Sequence, residues 1–250
     1  MLQAWITFGT SVIGPGHIAS GKPNQDSWRS FRHALYAGIA VSDGLGSNAH
    51  PCSHYGSRAA CHAVELAIFD QLAVESGDFE TGDLCTLPSA IVQRWNEFIR
   101  PLPPRDAAAT CLYAFIDHRG EIRLGMLGDG CIAAILSTGE VKLLEENKEG
   151  GFSNQTRCLS ESVPDRYWNT GTISAANCDA VILCTDGISD DFESLENKKG
   201  FMKSFAECFC KESITEATRE ITDVLTTWPT PKHTDDKTIA CLCKRTYSDE

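Results

Sequence analysis

The 250-residue, 27.3 kDa chain is 42% apolar and 22% charged, which supplies a sizeable core and excludes a disordered chain. Its 34 acids against 22 bases leave a net charge of −12, which repels phosphate backbones, argues against nucleic-acid partners and suits cations instead. The opening Met1-Leu2-Gln3-Ala4-Trp5-Ile6 resembles no signal peptide and no run nears the roughly 18 apolar residues of a membrane span, so the twelve cysteines predict core thiols in a reducing cytoplasm.

In chain order, segments 3–13 and 34–42 are rich in β-branched and aromatic residues and predict strands. A polar stretch with Gly-Pro-Gly and Gly-Lys-Pro turn signals lies between them. Ala60, Val64, Ala67, Ile68 and Leu72 recur at helical spacing and predict a helix over 53–74, followed by a second over 88–99 that stops before Pro101. Strands 110–116 and 122–127 flank Asp117-His118-Arg119-Gly120, and strands 132–136 and 141–144 flank Ser137-Thr138-Gly139-Glu140, so two hairpins are expected. Residues 145–172 are polar and predict a flap-like excursion. A buried strand over 180–184, helices over 201–210 and 214–228, and a last strand over 238–243 complete the chain. Hairpins with segregated helices predict an α+β fold, one domain over residues 1–250 with two antiparallel sheets covered by helices.

Aspartates recur where strands end. Ile39-Ala40-Val41-Ser42-Asp43-Gly44, Gly125-Met126-Leu127-Gly128-Asp129-Gly130 and Val181-Ile182-Leu183-Cys184-Thr185-Asp186-Gly187 each close an apolar run with Asp-Gly. Asn24-Gln25-Asp26 stands before the second strand and Asp235-Asp236 before the last. Any one Asp-Gly is most often a turn. Five converging carboxylates would repel unless a cation held them, and hard oxygen donors suit Mg²⁺ or Mn²⁺. Spacing alone names no reaction.

Asn24-Gln25-Asp26, Asp43-Gly44-Leu45-Gly46-Ser47, Leu127-Gly128-Asp129-Gly130, Thr185-Asp186-Gly187-Ile188-Ser189-Asp190 and Asp235-Asp236-Lys237-Thr238 resemble, in order, the motifs of the PP2C (PPM) protein phosphatases. Ala109-Thr110-Cys111 is similar to that family's Gly-Thr-Thr/Ser-Thr strand, and 154–159 weakly resembles the segment before its flap. The match runs from about 14 to 243 and is closest to compact, stand-alone bacterial PP2C-like proteins. The resemblance implies a four-layer αββα sandwich with a binuclear Mn²⁺/Mg²⁺ centre at one end. By matching position, Asp43 would bridge two ions, the Gly44 carbonyl would ligate one, and Asp186 and Asp235 would hold the other. Asp26 would bind directly or through water, and Asp129 would serve a weaker third ion. The implied reaction is hydrolysis of phosphoserine or phosphothreonine on substrates of a Ser/Thr kinase by a hydroxide bridging the two metals. Alternatives are a silent regulatory module of the same fold and a phosphatase of small phosphate esters.

The chain also departs from the pattern. Gly21 stands where many members carry a phosphate-holding Arg, leaving His17 and Lys22 as nearby candidates for phosphate contact. Leu45 replaces a His, Gln25 a Glu, and Gly130-Cys131 a Ser-Arg pair, while Asp236 occupies the usual Asn position. His50, His54 and His62 read as surface or helix residues, Phe201, Phe205 and Phe209 as core packing, and Glu145-Glu146 as solvated surface. The Cys208/Cys210 and Cys241/Cys243 pairs are spaced more narrowly than zinc sites usually are and read as core thiols.

Overall fold

Ten strands form two five-stranded antiparallel sheets in the computed structural model, which describes residues 2–75, 86–145, 156–229 and 234–247. The first sheet has the order β1-β10-β9-β6-β7, from Leu2–Val12, Lys237–Tyr247, Cys178–Cys184, Cys131–Leu136 and Val141–Leu144. The second has the order β2-β3-β4-β5-β8, from Ser27–His33, Tyr36–Ser42, Cys111–Asp117, Glu121–Leu127 and Asn169–Ser174. Both predicted hairpins form, as β4–β5 and β6–β7.

The two-residue period of a strand explains the layers. In β3, Ile39 and Val41 face the other sheet and meet Leu112, Leu183 and Leu242, while Ala40 faces the helices. Helices α2 (Ser53–Glu75) and α3 (Leu87–Phe98) cover the second sheet, setting Val64, Ile68, Ile91 and Trp95 against Phe31, Tyr113 and Phe115. Helices α5 (Leu195–Phe209) and α6 (Ile214–Thr226) cover the first, setting Met202, Phe205 and Ile221 against Phe8, Ile182 and Cys241. The result is the expected α/β/β/α sandwich. Among the described residues no helix is long and apolar enough to cross a membrane.

The differences from expectation have physical causes. Strands β2 and β8, expected as polar loop and flap, are the two edges of the second sheet. An edge strand has one neighbour and an outer flank in water, so its sequence stays polar; in β2 only Phe31 is buried. A six-residue helix α1 (Pro15–Ser20) also lies in the predicted polar stretch, started by Pro15 and stopped by Gly21 at φ 67°. The one-turn α4 (Asp186–Ser189) was not expected either. Helix α5 begins six residues before 201 because the Ser194 side chain accepts from Asn197 N at 3.1 Å.

Part of the expected flap and Glu146 lie outside the described residues. Residues 156–168 are anchored by Leu159, Val163 and Trp168, which join the core under α2 and α3. Glu145 pairs with Lys198. The Phe201, Phe205 and Phe209 stripe packs as a core, with Phe205 stacked on Phe8 at 6.3 Å. His54 packs on Tyr55, His62 lies between Arg29 and Phe98, and His50 bonds the Arg105 carbonyl, as surface and helix residues.

Candidate metal centre

Asp43 follows the last residue of β3 and is fixed on its main-chain side. Its N–H donates to Thr110 Oγ1 at 2.9 Å, its carbonyl accepts from Thr110 N at 2.7 Å, and Ser42 Oγ donates to Thr110 O at 2.6 Å. Gly44 forms an isolated bridge with Ala109 and donates to Gln25 O at 3.1 Å. A Cβ at Gly44 would sit 2.7 Å from Ser53 O, so the close approach of α2 requires glycine there.

Strand ends of the other sheet face this turn. Asp186 opens α4 directly after β9, and Asp129 sits between Gly128 (φ 93°) and Gly130 (φ 100°) in the turn from β5 to β6. Carboxylate oxygens of Asp43, Asp129 and Asp186 all lie within 4.8 Å of one another. Asp26 is buried just before β2, accepts from Thr185 Oγ1 at 2.8 Å, and stands within hydrogen-bonding reach of Asp43. Asp235, half-buried at the start of β10, acts electrostatically on both Asp43 and Asp186. The five aspartates predicted from the sequence therefore assemble at one end of the sandwich, with contributions from both sheets.

The electrostatics are those of anions gathered with too little water. Burial and then Asp236 push the Asp26 carboxyl up to about 7. Burial, then Asp129, Asp26 and Asp235, push Asp186 up to about 8. Burial followed by Asp26 and Asp186 holds Asp43 well above the ordinary carboxylate range. The donors are all oxygens, and Oε1 of Gln25, next in sequence to Asp26, is buried without a hydrogen-bond partner. Such a set fits a hard divalent cation, which would neutralise the repulsion.

The remaining expected residues divide. Lys22 Nζ donates to the Gly46 carbonyl at 3.1 Å, on the loop that follows Asp43. His17 Nδ1 lies 2.8 Å from Asp236 Oδ2 and 3.9 Å from Asp235 Oδ1. Asp236 itself accepts from Gly14 N at 2.7 Å and Gln25 N at 2.6 Å, so it fastens the 14–25 segment to β10. Lys237 Nζ donates to the Asp235 carbonyl.

Three neighbours had no role assigned by sequence reasoning. Thr185 steers Asp26 and also receives Thr238 N at 3.1 Å. Thr156 donates to Asp129 Oδ2 at 2.7 Å. Arg157, stacked on Tyr167 at 4.9 Å, has its carbonyl so close to Gly128 that a Cβ there would fall 2.5 Å from it. Thr185 stands in a motif legible in the sequence, and Thr156 and Arg157 in the 154–159 stretch that weakly resembles the segment before the flap, but neither resemblance assigned them these contacts.

Comparison with solved structures returns the same architecture. The chain is similar to the photosystem II phosphatase PBCP, at 13% identity and TM-score 0.65 over 96% of this chain and 98% of that one. It is similar to RsbX in complex with magnesium, at 16% identity and TM-score 0.58 over 96% of each chain. It is also similar to the catalytic domain of the serine threonine protein phosphatase PstP in complex with two manganese ions, at 17% identity and TM-score 0.56 over 97% of this chain and 99% of that one. At these identities the likeness establishes the fold. A sequence comparison with curated proteins finds no match. The family model described as Protein phosphatase 2C matches residues 13–226, a span that holds Asp26, Asp43, Asp129 and Asp186. With that match over most of its length and the fold to accompany it, the chain belongs to the protein phosphatase 2C family.

Proposed function

We propose that residues 1–250 form one phosphatase domain that hydrolyses phosphoserine and phosphothreonine on proteins, the products of a Ser/Thr kinase, in the cytoplasm. The observation that carries this reading is the convergence of Asp43, Asp129 and Asp186 within 4.8 Å, with Asp26 and Asp235 beside them. Asp43, Asp186 and Asp235, with the Gly44 carbonyl, are the groups proposed to hold two Mn²⁺ or Mg²⁺ ions. Asp26 serves them directly or through water, and Asp129 serves a weaker third ion. When bound, such a pair supplies Lewis acidity toward the phosphoryl oxygens and a nucleophilic water at neutral pH.

The chain's own residues do the positioning. Thr110 and Ser42 hold the backbone at Asp43, and Thr185 fixes the Asp26 carboxylate, so the acids need little rearrangement to meet a cation. Lys22 is suited to the anionic substrate because its ammonium lies against the loop after Asp43. His17 has Nδ1 engaged by Asp236, which leaves Nε2 as the atom for phosphate.

The test is turnover of p-nitrophenyl phosphate, then of a phosphopeptide, by chelator-treated protein before and after Mn²⁺ or Mg²⁺ is added. Activity should vanish with chelator and return with metal, at lower concentration for Mn²⁺ than for Mg²⁺. Full activity without metal would overturn the two-metal reading. Hydrolysis of the small ester alone would overturn the protein substrate, and no hydrolysis of either would overturn the enzyme.

A further inference from the structure

The two Cys-x-Cys pairs, expected to be ordinary core thiols, are treated unequally by the fold. Cys208 is exposed, whereas Cys210, at the C-terminal end of α5, comes against Cys241 and Cys243 on one face of β10. The three sulfurs lie within 4.8 Å of one another, and Cys210 Sγ is 3.8 Å from Cys241 Sγ. We propose that Cys210, Cys241 and Cys243 form a second metal site, for a thiophilic cation such as Zn²⁺, on the helix-covered face of the first sheet.

Three observations carry the assignment. The first is distance. A tetrahedral zinc with Zn–S bonds of about 2.3 Å separates its sulfurs by roughly 3.8 Å, so the thiols already stand near ligand spacing. A disulfide would need the sulfurs about 2.05 Å apart and therefore a movement of backbone or rotamers. The second is access. Cys210 lines a cavity of about 710 Å³, which gives an ion a path to its sulfur. Cys131 and Cys184, another pair of neighbouring thiols, are wholly buried in the core.

The third observation is charge. Three thiols binding Zn²⁺ release three protons and transfer no electrons, leaving a site of net charge −1. Lys203, Lys211, Lys244 and Arg245 line the same cavity against Asp179 and Glu207, a cationic surface on a chain of net charge −12. Arg245 also donates through Nη2 to the Cys210 carbonyl at 3.2 Å and to the Glu212 carbonyl, which holds the end of α5 at β10. A bound ion would lock that junction.

The experiment is a Co²⁺ titration of the reduced, chelator-stripped full chain, followed by Zn²⁺. One equivalent should produce sulfur-to-cobalt charge-transfer absorption and tetrahedral visible bands, both erased by one equivalent of Zn²⁺. Asp43→Asn should keep the sulfur band, because oxygen ligands at the other centre cannot produce it. Cys208→Ser should keep it as well. Cys210→Ala, at a half-buried position, should lose it, as should Cys241→Ser with Cys243→Ser. Absence of the band in the wild-type chain, or its persistence in Cys210→Ala, would overturn the proposal.

Discussion

His17 Nδ1 and Asp236 Oδ2 lie 2.8 Å apart across 219 residues of sequence, joining α1 to the start of β10. Asp236 is buried and also accepts from two main-chain N–H groups, so its role is to anchor the segment that delivers Gln25 and Asp26. Asp236→Ala should strand those N–H groups and lower unfolding free energy by roughly 3 kcal/mol in a urea titration. His17→Ala should lower it by about 1.5–3 kcal/mol, the value of a hydrogen bond to a charged group.

Lys22 gives a second expectation. If its ammonium meets the substrate phosphate, Lys22→Ala removes a charge-assisted hydrogen bond of about 1.5–3 kcal/mol, so kcat/KM should fall roughly 10- to 150-fold. The measurement is steady-state kinetics at saturating metal from pH 5.5 to 9. An unchanged kcat/KM would move the phosphate contact elsewhere, with Arg157 the next residue to substitute.

Asp43 has Asp26, Asp129 and Asp186 as close carboxylate neighbours. Asp43→Asn should lower turnover roughly a hundredfold or more at saturating Mn²⁺. The same variant without metal should melt higher than the wild type at alkaline pH, where the wild-type Asp43 must either ionise among its repelling neighbours or hold its proton at a cost that an amide does not carry. Thermal unfolding in chelator checks the second half independently of activity.

The raised carboxyls also set a pH dependence. Asp26 at about 7 and Asp186 at about 8, with Asp43 well above the usual range, bind protons more tightly folded than unfolded. A carboxyl of this kind contributes stability that is complete below the unfolded value of about 4 and is lost as pH rises through the folded value. Chelated protein should therefore lose melting temperature between pH 5 and pH 8. Saturating Mn²⁺ should remove that decline by replacing the protons. A chelated protein equally stable at both pH values would contradict the assigned shifts.

Strands β3 and β9 were legible because burial between a sheet and a helix layer leaves few polar positions, and the edge strands β1 and β7 because they keep apolar residues such as Ile6, Phe8 and Val141. The illegible ones, β2 and β8, sit at sheet edges where half the surroundings are water. The aspartates were legible because each follows or flanks an apolar run. Their holders were not: a hydroxyl such as Thr156 Oγ1 carries no spacing signal and acquires its role only when the chain folds back on Asp129. Asp235 and Asp236 are the same residue type in adjacent positions just before β10, and only the fold turns one toward the acids and the other toward main-chain N–H groups.

Strand β10 runs between β1 and β9, pairing Leu2 with Tyr247 at one end and Val12 with Lys237 at the other. Strand β1 must therefore wait for residues 237–247 to be made before it gains its neighbour. Until then β1 and β9 both present unpaired edges, and Asp235 has no scaffold. Assembly of the acidic cluster is thus coupled to arrival of β10: a nascent chain halted at residue 230 would hold four of the five acids without a closed sheet beneath them. It would be open to aggregation through those edges, and its acidic cluster would be complete only after the long-range closure had formed.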